Sequence, residues 1–114
     1  MEVKTVNVLG TDYELILASE KEMPDLFDGI DGECDESTKQ LHVNNYENFK
    51  DEERAFGNGP VLVKKNIRHE LIHAFLCESG LGENSDWAQN EEMVDWFARQ
   101  FLKMQKAFEE VDAI

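Results

Sequence analysis

The chain has 114 residues, of which 41% are hydrophobic and 32% are charged, and its formal net charge is −14. This length is enough for one domain, so we treat residues 1–114 as a single unit with a modest core. So much negative charge argues against a nucleic-acid-binding protein, because a phosphate backbone would be repelled. The charge is compatible with a basic partner or substrate, or with a well-solvated surface.

The N-terminal residues lack the apolar run of a secretory signal, and no later stretch reaches the length of a transmembrane helix. The cysteines, Cys34 and Cys77, are too few for a disulfide framework and are typical of a reducing compartment. We therefore expect a cytoplasmic protein with no membrane partner.

The first half of the chain predicts β-structure. Val3–Leu9 and Tyr13–Ala18 are rich in β-forming residues and flank a turn sequence that begins at Gly10, which predicts a β-hairpin. Ile30–Val43 predicts a second hairpin whose outer strand ends near its last residue. The polar residues Asn44–Gly59 predict a loop that contains a short helix.

The second half predicts two helices. Pro60 suits the first turn of a helix and Gly80 its end, which predicts a helix over about Pro60–Ser79. Its apolar residues fall all round the helical wheel, as is typical of a buried helix. A second, amphipathic helix is predicted over about Asp86–Glu110, with Gln89 completing a capping box at its start. Strands followed by helices indicate an α+β domain, with a small antiparallel-type sheet packed on the first helix and the second helix alongside.

The segment His69-Glu70-Leu71-Ile72-His73 carries the clearest chemical signal. On a helix, His69 and His73 share a face with Cβ atoms about 5–6 Å apart, so both imidazoles can bind one zinc ion at about 2.0–2.1 Å. Glu70 is rotated by roughly 100° and can accept a proton from water at the metal's open position. The alternative, satisfied core histidines, requires buried partners for these polar groups. We expect one Zn²⁺ per chain, with Glu70 as catalytic base.

A third protein ligand is needed, and the sequence narrows the choice. No histidine follows His73, which excludes schemes with a downstream histidine. His42 is the remaining histidine, and at a strand end it is more often a surface residue than a ligand. Cys77 lies about 12 Å along the helix from His69, too far for one ion to contact both, so it is better explained as a core residue. A carboxylate is therefore expected.

Two carboxylates near the start of the second helix are candidates. Glu91 lies within the apolar arc, whereas Glu92 lies with basic side chains on the charged face. A carboxylate directed into a core is costly unless it meets a metal or a cation, which favours Glu91. In an antiparallel helix pair rising about 1.5 Å per residue, Glu91 and His73 also lie at nearly the same height. Asp95, one turn further, can hydrogen-bond the second nitrogen of a ligand histidine; the alternative is an ordinary surface acid.

With Glu91 and Asp95 added to His-Glu-x-x-His, the chain resembles the gluzincins, zinc metallopeptidases that pair this motif with a downstream glutamate. Within that group it is most similar to the ImmA/IrrE-like family and related small peptidases of phages and mobile elements. Their second motif matches Asp95-Trp96-Phe97-Ala98. The resemblance covers about Pro60 to Met104.

The resemblance implies a minimal zincin fold and zinc-dependent hydrolysis of peptide bonds in an extended polypeptide, and the negative charge leaves open a basic substrate. It also implies a sheet edge beside the site, where a substrate can add as a strand; Lys39–Val43 is the candidate. Tyr13, Tyr46 and His42 are candidates for the oxyanion donor, although each can also be explained as structural. A function of a different class is also compatible with the sequence. The chain could be an acidic protein that occupies a basic partner surface, with the zinc site structural or catalytically silent. The substrate sequence and the oligomeric state are not determined by the sequence.

Overall fold

The computed structural model describes residues 1–47 and 59–114. Within these ranges the fold is α+β, as predicted, and the short helix predicted inside Asn44–Gly59 falls outside them. The strands are β1 (Glu2–Val8), β2 (Thr11–Ala18), β3 (Gly32–Asp35) and β4 (Gln40–Asn44), and the helices are α1 (Gly59–Glu78), α2 (Leu81–Asn84) and α3 (Glu91–Glu110). Among the described residues, no helix combines the length and apolarity needed to cross a membrane.

Both predicted hairpins are present. β1 and β2 pair antiparallel around Leu9 and Gly10, which have φ angles of 51° and 94°. Positive φ at both positions is what a tight two-residue hairpin turn requires, and the glycine adopts it without steric cost. β3 and β4 also pair antiparallel, with Cys34 opposite Leu41.

The sheet is mixed, so the prediction of an antiparallel-type sheet is wrong in that respect. The strand order is β1-β2-β4-β3, and β2 pairs with β4 in parallel. Burial explains the order: Leu41 and Val43 of β4 are fully buried, whereas every residue of β3 is partly exposed. The more apolar strand therefore occupies the interior of the sheet. Lys39–Val43 was predicted as the sheet edge beside the site; that is also wrong, because β4 lies between β2 and β3.

Helix α1 packs across one face of the sheet. The buried side chains of this core come from β1, β2, β4 and α1: Val8, Tyr13, Leu15, Leu17, Leu41, Val43 and Ala74. The prediction that α1 is buried on every side is wrong, since Val61 and Phe75 are 60% and 44% exposed. The sheet and α3 contact two sides of the helix and leave these two side chains exposed.

The second predicted helix is divided into two elements. Asp86–Gln89 forms a short 3₁₀ helix, and α3 begins only at Glu91. The Asn90 side chain accepts a hydrogen bond from the Met93 backbone N–H at 2.8 Å, so Asn90 is the N-cap and the predicted capping box is not formed. Glu91 therefore lies in the first turn of α3, where the helix dipole favours a carboxylate.

Glu78 fastens the C-terminal end of α1 to the sheet. Its Oε1 accepts hydrogen bonds from Lys39 Nζ at 2.6 Å and from Tyr13 Oη at 2.7 Å, and its Oε2 accepts one from Thr11 Oγ1 at 3.1 Å. The hydrogen bonds from Lys39 and Tyr13 lower the pKa of Glu78 to about 2. Because α1 also carries His69 and His73, this cluster fixes their helix relative to the sheet.

We expect Glu78→Gln to lower the thermal unfolding midpoint at neutral pH, because the amide cannot replace the charge that pairs with Lys39. A carboxyl group whose pKa is lowered by folding stabilises the fold above its ordinary pKa of 4.5, and this stabilisation is lost as pH falls toward about 2. The difference from wild type, measured by calorimetry, should therefore shrink across that interval. A difference that is constant with pH would contradict a role for the Glu78 charge.

Candidate metal centre

His69 and His73 lie one turn apart on the same face of α1, with side chains 15% and 17% exposed. Their ring centroids are 5.0 Å apart. One potential ligand atom from each of His69, Glu70 and His73 lies within 4.8 Å of the others. Helical spacing alone predicted this shared face, and tertiary packing encloses it.

The Glu91 carboxylate contacts both histidines. Its Oε2 lies 3.1 Å from His69 Nε2, and its Oε1 lies 3.0 Å from His73 Nε2. Ligand atoms of a tetrahedral zinc ion with bonds of about 2.0–2.1 Å are roughly 3.3 Å apart, which is close to the observed spacing. Glu92, the alternative carboxylate, has no hydrogen bond or ion pair with either histidine in the described part of the chain. The antiparallel register predicted this position of Glu91, but the prediction that its carboxylate is directed into a core is wrong, because the Glu91 side chain is 71% exposed.

The positions of two carboxylates around the His69 ring are also compatible with a bound cation. Asp95 Oδ1 lies 3.1 Å from Nδ1 of His69, on the opposite side of the ring from Glu91. A neutral imidazole carries one N–H, so it can donate to Asp95 or to Glu91 but not to both. With the proton on Nδ1, a lone pair of Nε2 faces a carboxylate oxygen, and a proton or a cation must lie between them. A zinc ion meets this requirement with the donor atoms that zinc prefers.

Asp95 is itself held in place by two cations. Arg99 Nε donates to its Oδ2 at 2.6 Å, and Lys65 Nζ donates to its Oδ1 at 3.1 Å. Burial by itself would raise the pKa of Asp95, but the hydrogen bonds from Arg99, Lys65 and His69 outweigh it and hold the pKa far below its ordinary value. Asp95 therefore stays ionised and can fix the ring and tautomer of His69. The contact between Lys65 and Asp95 was not predicted from the sequence.

For a zinc ion held by His69, we expect Asp95→Ala to weaken binding by about 10–100-fold, the usual cost of losing the partner of a ligand histidine. The affinity can be measured by competition with a chromophoric chelator. Glu92→Ala is the matched control, because it removes a nearby exposed carboxylate of the same helix. Equal affinities for the two variants would contradict the role of Asp95.

Glu70 is enclosed beside the two histidines. It is 7% exposed, and none of the described residues donates a hydrogen bond to its carboxylate. Burial raises the pKa of Glu70 to about 7 and lowers the pKa of the His73 imidazole, which favours the neutral ring that can bind a metal. The site opens into a cavity of about 450 Å³ lined by Ile30, Gly32, Glu33, Cys34, His69, Glu70, His73, Cys77 and Glu91.

The cavity wall opposite α1 comes from β3 and Ile30. These residues were not predicted to line the site, because nothing local in Ile30–Cys34 indicates which helix the strand meets. Cys77, expected to be a core residue, is partly buried and lines the same cavity.

The predicted oxyanion donors lie elsewhere. Tyr13 donates to Glu78, and the Tyr46 hydroxyl accepts a hydrogen bond from Asn66 Nδ2 at 2.8 Å. The His42 side chain was expected at the surface but is only 12% exposed, and its Nδ1 lies 3.6 Å from Glu33. None of the three candidates lines the cavity.

No family model matches the chain, and no similar curated protein or solved structure was found. The resemblance to the gluzincins therefore rests on the motif residues alone. The function must be argued from the chemistry of the side chains that the fold brings together.

Proposed function

We propose that this protein is a zinc-dependent metallopeptidase of the gluzincin type. In this proposal His69, His73 and Glu91 hold one zinc ion, Asp95 orients His69, and Glu70 is the catalytic base. The supporting observation is the convergence of both Nε2 atoms on the Glu91 carboxylate, beside an enclosed glutamate that no described residue hydrogen-bonds. Three protein ligands leave a coordination position open, as is typical of catalytic rather than structural zinc.

The residues around this position suit amide hydrolysis. A bound zinc ion would supply Lewis-acid chemistry, polarising the scissile carbonyl and acidifying water. Glu70 would accept the proton of the attacking water and deliver it to the amine nitrogen as the C–N bond breaks. Burial raises the pKa of Glu70 to about 7 in the metal-free protein, and a zinc ion bound beside it would lower that pKa.

The substrate in this proposal is an extended polypeptide that adds to β3. In the described part of the chain β3 pairs only with β4, so its other edge offers backbone hydrogen-bonding groups. The cavity that contains Glu70 lies along this strand. The net charge of −14 favours a basic substrate over an acidic one. The scarcity of cysteine favours the cytoplasm as the compartment.

The proposal can be tested with a peptide library made by digesting a whole proteome. The zinc-loaded protein is incubated with the library, and new termini are identified by mass spectrometry. We expect cleavage products that disappear with a chelator and return when zinc is restored. A library left intact by the zinc-loaded protein would contradict the proposal.

A second candidate is a binding protein that occupies a basic partner surface, and the net charge of −14 favours it. Such a protein would bind a basic partner in a salt-sensitive manner that a chelator does not diminish. A binding function does not explain why Glu70 is enclosed beside two histidines, whereas a peptidase requires this arrangement. The peptidase is therefore the better-supported function.

A further inference from the structure

Gly32 lies in the edge strand β3, directly beside Glu70. It pairs with Val43 of β4, whose side chain is fully buried beneath α1. Residues directly opposite each other in an antiparallel pair project to the same face, so a side chain at position 32 would point toward α1. A Cβ atom there would lie 2.8 Å from Oε2 of Glu70 and 3.1 Å from its Cγ. These separations are shorter than a van der Waals contact.

The position of the Glu70 carboxylate therefore depends on packing. None of the described residues donates a hydrogen bond to it, so no polar partner defines its rotamer in the way that Asp95 defines the ring of His69. The backbone of β3 at Gly32 forms one wall of the space that the carboxylate occupies. Any side chain at this position would take part of that space.

We propose that Gly32 is a positioning residue for Glu70. Its missing side chain lets the edge strand approach α1 closely enough to enclose the carboxylate while leaving it room beside the histidines. The φ angle of Gly32 is not in the left-handed region, so this glycine is required for space and not for backbone conformation. The catalytic consequence rests on the proposed peptidase function, whereas the packing relation between Gly32 and Glu70 does not.

The catalytic consequence is tested with Gly32→Ala and the best-cleaved peptide of the library. The added methyl group displaces the Glu70 carboxylate, and a misplacement of about 1 Å can cost on the order of 100-fold in rate. We expect kcat to fall by about that factor, with zinc content unchanged because the proposed ligands are untouched. Gly59→Ala is the matched control, since a Cβ at Gly59 meets nothing within 4 Å. An unchanged kcat in folded, zinc-loaded Gly32→Ala would overturn the proposal.

The packing relation is tested separately by thermal unfolding of the metal-free protein. Gly32→Ala is compared in the wild-type and Glu70→Ala backgrounds. The added Cβ would also lie 3.1 Å from the His42 carbonyl oxygen in both backgrounds, but its contacts with Glu70 exist only in the first. We therefore expect a smaller drop in the unfolding midpoint in the Glu70→Ala background. If Gly32→Ala alone does not fold, recovery of folding in the double variant would likewise show that the added Cβ clashes with Glu70.

Equal drops in the two backgrounds would overturn the positioning role. The difference between the two drops in the unfolding midpoint can be measured even if the wild-type protein cleaves no peptide. Failure of the peptidase proposal and failure of the Gly32 proposal are therefore separate outcomes.

Discussion

Glu70→Gln is expected to lower kcat for peptide cleavage by about 10²–10⁴-fold, the range attributed to a positioned general base. Glutamine has nearly the same shape, but its amide cannot take the proton that the attacking water must lose. The zinc content should stay at the wild-type value, because the proposed ligands are His69, His73 and Glu91 and not Glu70. Turnover of a library peptide and elemental analysis of the same sample measure the two quantities.

The control for this experiment is Glu92→Gln. It makes the same chemical change on an exposed residue that contacts neither histidine, and it should retain the wild-type kcat. Proteolysis by Glu70→Gln at the wild-type rate would contradict the assignment of Glu70 as the base. Loss of zinc from Glu70→Gln would instead indicate that Glu70 is a ligand.

Glu91→Ala is expected to weaken zinc binding by at least about 100-fold, since loss of an outer partner of a ligand already costs about 10–100-fold. This expectation rests on the position of Glu91, whose two oxygens lie 3.1 and 3.0 Å from the Nε2 atoms of His69 and His73. The dissociation constant, measured by chelator competition at fixed pH, gives the effect directly.

Glu92→Ala is the matched variant, since it removes the adjacent carboxylate from the same first turn of α3. Its zinc affinity should stay within about twofold of the wild-type value. If Glu92→Ala weakened zinc binding more than Glu91→Ala, the third ligand would be reassigned to Glu92.

Features set by local spacing could be predicted from the sequence. The interval of four residues places His69 and His73 on one face of α1, and the antiparallel register of the two helices places Glu91 level with His73. The hairpin turn at Gly10 and the end of α1 before Gly80 follow from conformational preferences of single residues. Each of these features depends on residues that are close together in the sequence, so no tertiary information is needed to predict it.

Features that depend on distant parts of the chain could not be predicted in this way. The parallel pairing of β2 with β4 arises because Leu41 and Val43 are fully buried in the sheet interior, leaving β3 at the edge. A glycine in a short strand gives no sign that Glu70 will lie against it, so Gly32 was missed. Lys65 likewise looks like an ordinary helix-surface residue until α3 brings Asp95 beside it.

The zinc content of the purified protein, determined by elemental analysis after removal of loosely bound metal, tests the proposed centre most directly. One zinc ion per chain is expected in the wild-type protein, and almost none in a variant that combines His69→Ala with His73→Ala. A wild-type protein that retains no zinc after incubation with the metal, or a double variant that retains as much as wild type, would contradict a zinc centre at these residues.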